Sequence, residues 1–140
     1  MAALNLWSHQ VGMDLSKLSK KEIFLLEIYL FLYVCNELKE HFREKQHKHF
    51  LLVNFNKKRE STMLEADLTR LIVNDILSTG EYNLNGIAYY TDSHEDVIQE
   101  IVDGRNLHPS ALLLKRSMEL HQLVRKELYD SILKKISTKL

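Results

Sequence analysis

The chain has 140 residues, formal net charge zero, a single cysteine, four glycines and one proline. That length supports one domain with a core of useful size, and the scarcity of Gly and Pro beside abundant Leu, Ile, Glu and Lys favours helices over a turn-rich β fold. The lone Cys35 excludes an internal disulfide and a multi-cysteine zinc site, and its apolar surroundings suggest a buried thiol. Eleven basic and nine acidic residues precede position 71 and eight and ten follow, so neither half is a basic domain.

Met1 to Leu18 is weakly patterned around Trp7, with no basic leader running into an apolar core. Ser19 with Glu22 forms a capping-box pattern and opens a helix expected over about Lys20 to Gln46. Its run Ile23 to Cys35 is apolar almost all round, which predicts burial on most faces. The run is interrupted by Glu27 and falls short of the ~20 residues a membrane span needs. A soluble, cytoplasmic protein without a membrane association is expected.

A basic, histidine-rich patch follows: His41, Arg43, Lys45, His47, Lys48 and His49 on one side, Lys57, Lys58 and Arg59 on the other. Between them Phe50 to Phe55 reads as one short strand or an extended connection. His47 and His49 have a chelating spacing but no third ligand, so no metal is assigned. Thr62 with Glu65 suggests a second capping box, and Leu64, Leu68, Leu71, Ile72 and Ile76 a helical stripe ending at Ser78, with Gly80 as its stop.

From Thr79 to Ser110 two short helices are punctuated by a turn, a glycine stop and a proline restart. Ile87-Ala88 lies in the first, Thr91-Asp92-Ser93 fills the turn, Ile98 and Ile101 lie in the second, and Gly104, Arg105-Asn106 and Pro109-Ser110 follow. This order resembles the helix-turn-helix of the Xre/Cro (lambda-repressor-like) DNA-binding family over roughly Leu64 to His121. Asp92 stands where the family usually has glycine, Leu84 where it usually has glutamine, and the linker before Pro109 is about one residue longer.

The resemblance implies a mainly α fold: a lambda-repressor-like core with a second helix over Leu84 to Tyr90 and a third over His94 to Asp103, flanked by long N- and C-terminal helices. Residues 1–60 are then an N-terminal helical extension with the basic, histidine-rich connection, and 61–140 the helix-turn-helix domain. It also implies a non-enzymatic transcriptional regulator. His94, Glu95, Asp96, Gln99 and Arg105 occupy the positions expected to meet DNA, and Lys57, Lys58 and Arg59 offer phosphate contacts.

Glu95, Asp96 and Glu100 on a groove-facing helix oppose a polyanion, although acidic residues in a first turn also complement the helix dipole. The alternative is therefore an adaptor that binds a protein through the same scaffold.

Pro109 is expected to begin, as first helical residue, one helix running to about Ile136 with a stripe of Leu120, Leu123, Val124, Leu128 and Ile132. Glu119 and His121 read as an exposed polar face. The apolar surplus of both flanking helices suggests a homodimer through Leu26, Leu30, Tyr33, Leu123, Leu128 and Ile132. No phosphate loop, nucleophile elbow or metalloprotease motif occurs, so no catalytic residue and no cofactor are assigned.

Overall fold

The computed structural model describes residues 15–45 and 57–139. The described residues are mainly helical, without a strand. A 3-10 turn at Leu15–Lys17 precedes α1 (Lys20–Lys45), α2 (Lys57–Ser78), α3 (Leu84–Thr91), α4 (Glu95–Val102), α5 (Ala111–Val124) and α6 (Lys126–Lys139). The expected strand at 50–55, His47, His49 and Trp7 lie outside the described residues. No described helix is long and apolar enough to cross a membrane. The chain divides into two compact units: residues 1–41 with 127–140, and residues 42–126.

In the first unit, α1 starts where the capping box places it. Ser19 N donates to Glu22 Oε1 and Glu22 N donates to Ser19 Oγ, both at 3.2 Å. Two of the helix's orphan N–H groups are thereby satisfied. Leu30, Val34 and Leu38, spaced by four, form a buried stripe with Cys35. On α6 the corresponding stripe is Tyr129, Ile132, Leu133 and Ile136, and Lys135 Nζ reaches Glu37 Oε2 at 3.2 Å. Burial on most faces of α1 is not what the chain achieves. Phe24, Leu25, Ile28, Tyr29 and Leu32 are exposed, because the described residues cover only one side of the helix.

In the second unit, α2 packs against α4 and α5, and α3 packs against the same two helices. Leu68, Ile72, Val73 and Ile76 of α2, Ile87 and Ala88 of α3, Ile98 and Ile101 of α4, and Leu113, Leu114, Met118 and Leu120 of α5 are buried. Each large side chain among them contributes ~1.5–3 kcal/mol of transfer free energy.

Several boundaries differ from expectation. The second helix starts at Lys57, ahead of the expected start near Thr62. Ser110, not Pro109, opens α5: its Oγ accepts from Leu113 N at 3.0 Å, and Pro109 precedes the cap. The hydroxyl supplies the acceptor that the first turn lacks, which proline has no means of doing. The expected single C-terminal helix is two, divided at Arg125, whose backbone is non-helical at φ −126°, ψ 51°. Neither Gly nor Pro marks that break; the Arg125 side chain is engaged with α2. The stripe on α5 is also rotated, burying Leu114, Ser117, Met118 and His121 and leaving Leu123 exposed.

Candidate functional site

Asn83 caps α3, its Oδ1 accepting from Gly86 N at 2.7 Å. The helix ends with two backbone bonds: Ser93 N to Ala88 O at 2.9 Å and Asp92 N to Tyr89 O at 3.3 Å. This is the Schellman closure, which needs a left-handed residue just past the helix. Asp92 takes that role at φ 54°, ψ 48°. Thr91 Oγ1 donates back to Ile87 O at 2.8 Å, and Arg116 Nη1 of α5 donates to Thr91 O at 3.0 Å. The turn is thus held both from within and from α5.

Helix α4 repeats the closure. Arg105 N donates to Glu100 O at 2.8 Å and Gly104 N to Ile101 O at 3.1 Å, with Gly104 at φ 75°. Arg70 of α2 lies over this end: a Cβ on Gly104 would sit 3.2 Å from Arg70 Nη1. At the other end His94 is the N-cap but makes no side-chain cap bond, so Glu95 and Asp96 complement the first turn electrostatically. Ile98 and Ile101 point inward, while His94, Glu95, Asp96 and Arg105 are exposed and Gln99 is half-buried.

Two of the residues assigned to reading are already engaged. Gln99 Nε2 donates to Asp103 Oδ1 and Arg105 Nη2 donates to Asp103 Oδ2, each at 2.9 Å. The Gln99 hydrogen bond, then that of Arg105, lowers the Asp103 pKa. On α3 Tyr89 is almost wholly exposed and Tyr90 partly so. The Tyr90 phenol is pushed up by burial and by the Glu119 charge. The backbone places Lys57, Lys58 and Arg59 in the first turn of α2; their side chains lie outside the described residues.

Between α2 and α5 runs a buried ionic network that the sequence does not announce. His121 is fully buried rather than on a polar face, with Nε2 at 2.7 Å from Asp75 Oδ2. Arg125 completes it, Nε to Asp75 Oδ2 at 2.9 Å and Nη2 to Asp75 Oδ1 at 3.1 Å. Burial pushes the Asp75 carboxyl up, but the bonds from His121 and Arg125 outweigh it and hold it well below the usual carboxylate range. Phe42 stacks on the imidazole with ring centroids 6.0 Å apart. The available signal was the position of His121 on the stripe of Leu114, Ser117 and Met118; its partners stand 46 residues before and four after.

The six residues expected at a dimer interface differ in exposure. Leu30 and Ile132 are buried within the chain, Leu26, Tyr33 and Leu128 are half-buried, and Leu123 alone is exposed. No cluster of three metal-ligating side chains occurs among the described residues. Comparison with protein-family models, curated proteins and solved structures finds no match.

Proposed function

We propose that α2 to α5 form a lambda-repressor-like helix-turn-helix and that the protein is a non-enzymatic, DNA-associated transcriptional regulator of the cytoplasm, acting as a homodimer. One observation carries this reading: α3 and α4 meet through the left-handed Asp92 turn, and the His94 end of α4 projects side chains into solvent while α2 and α3 hold its inner face. That leaves a preorganised helix end for a groove. The buried Asp75–His121–Arg125 network ties α2 to the end of α5, and the full burial of His121 speaks against a catalytic imidazole.

Binding of random duplex DNA, followed by fluorescence anisotropy at low and moderate salt, tests the reading. Affinity is expected to fall steeply as salt rises. Gln99→Ala should relax base preference, whereas neutralising Lys57, Lys58 and Arg59 together should weaken all sequences alike. Absence of binding at low salt overturns it.

A second reading, an adaptor that docks a basic protein segment, is favoured by the acidic exposed face of α4 and by the capture of Gln99 and Arg105 by Asp103. Under it, Glu95→Lys with Asp96→Lys abolishes capture of the partner and strengthens contact with DNA. Under the DNA reading the same pair of changes leaves protein association untouched.

A further inference from the structure

Helix α1 carries an apolar surface that nothing in the described chain covers. Phe24, Leu25, Ile28, Tyr29 and Leu32 are 41 to 61% exposed, and they lie on the side away from the buried stripe of Leu30, Val34 and Leu38. Tyr29 also packs against Tyr33, ring centroids 6.3 Å apart, so aromatic area continues along the helix. With large side chains of ~150–200 Å² each, the five present on the order of 450 Å² of apolar surface. That equals the largest apolar patch of a typical monomer, a patch that is often functional.

We infer that this face of α1 is covered by the same face of a second copy of the chain, in an antiparallel helix pair. Two observations select that occupant. The first is area. Homodimer interfaces are about two-thirds apolar, so an apolar centre of ~450 Å² with its polar rim comes to roughly 700 Å² per copy, close to the ~800 Å² that a specific interface buries on each partner.

The second is the spacing Leu25, Ile28, Tyr29, Leu32. It reads i, i+3, i+4, i+7 in either direction. A two-fold axis between Ile28 and Tyr29 therefore lays Leu25 of one copy against Leu32 of the other and Ile28 against Tyr29, as an isologous interface requires. Flanking positions agree. Lys21, exposed one turn before Leu25, then faces Asn36, exposed one turn after Leu32. A parallel pair stacks Lys21 on Lys21, which is repulsive.

This assembly rests on α1 and not on the DNA reading. Sedimentation analysis of the full chain from low to high micromolar concentration tests it, with circular dichroism as the check on folding. The wild type is expected to dimerise, and Ile28→Asp or Leu32→Asp, both at exposed positions, to raise the dissociation constant at least about tenfold.

Geometry is read by cross-linking in a Cys35→Ala background. Leu25→Cys mixed with Leu32→Cys should form a covalent dimer, and neither should do so alone. A monomeric wild type, a dimer unmoved by both aspartates, or cross-links formed by each cysteine variant alone overturns the proposal. So does a monomer whose Trp7 emission shifts on Ile28→Asp, which assigns the face to residues 1–14 instead. A dimer that binds no DNA leaves this inference standing and removes the regulator reading; DNA binding by a monomer does the reverse.

Discussion

His121 and Asp75 form a buried pair that bridges α5 and α2, Nε2 to Oδ2 at 2.7 Å. Arg125 closes on the same carboxylate from the end of α5 with two bonds. Removing one member of a buried charged set leaves the others desolvated and unmatched, which costs about 3–5 kcal/mol. Asp75→Ala is expected to fall in that range in urea unfolding. Arg125→Ala should cost less, roughly 1–2 kcal/mol, because its side chain is 37% exposed and solvent screens it. Equal losses for the two variants would mean that His121 contributes nothing through Asp75.

The same carboxylate sets an acid limit. Its folded pKa is depressed, so its contribution is complete above the unfolded value of ~3.9 and is lost as pH falls towards the folded value. Melting temperature should therefore show no Asp75-dependent change between about pH 5 and 7. Below pH ~4 the gap between wild type and Asp75→Asn should narrow. A gap that widens on acidification contradicts the assignment of the charge to Asp75.

The two helix stops offer a matched pair of substitutions. Asp92 adopts a left-handed conformation that disfavours L side chains by about 1–2 kcal/mol, and its contact with Arg116, at 3.9 Å with the carboxylate 91% exposed, returns little. Asp92→Gly should stabilise the fold by about 0.5–1 kcal/mol after glycine's greater unfolded-state entropy is subtracted. Gly104→Ala should do the opposite, losing about 1–2 kcal/mol, chiefly through φ; the Arg70 guanidinium 3.2 Å away is flexible enough to give. Urea midpoints of the two variants should move in opposite directions.

Ser110 is the acceptor for Leu113 N. Ser110→Ala should cost about 1 kcal/mol and Ser110→Asp almost nothing, since aspartate caps equally well and suits the dipole. Thermal unfolding separates the two. If both lose equally, the hydroxyl is not acting as a cap.

What was legible in the chain was what is encoded within a few residues. Ser19 and Glu22 cap each other across three positions, Gly104 stops its helix, and Asp92 occupies the left-handed turn as its short polar side chain permits. The pairs Ile87-Ala88 and Ile98/Ile101 are buried, as the resemblance of the stretch implies. What escaped depends on chain segments far apart. The break at Arg125 has no local breaker; it accompanies a partner 50 residues earlier. The burial of His121 and the exposure of Leu123 are two consequences of one rotation of α5, decided by what α2 and α3 present to it. On α1, composition showed surplus apolar surface but not which side the rest of the chain would cover.

Asp103 makes the outer face of α4 its own competitor. Its carboxylate already holds Arg105 and Gln99 in the manner a phosphate oxygen or a base edge would. An incoming ligand must displace an intramolecular rival present at high effective concentration, so only one that satisfies both donors together gains by exchange. Under the proposed reading of α4 as the binding face, the built-in carboxylate is a threshold against loosely matched ligands, and its removal by Asp103→Ala should widen the range of what α4 accepts.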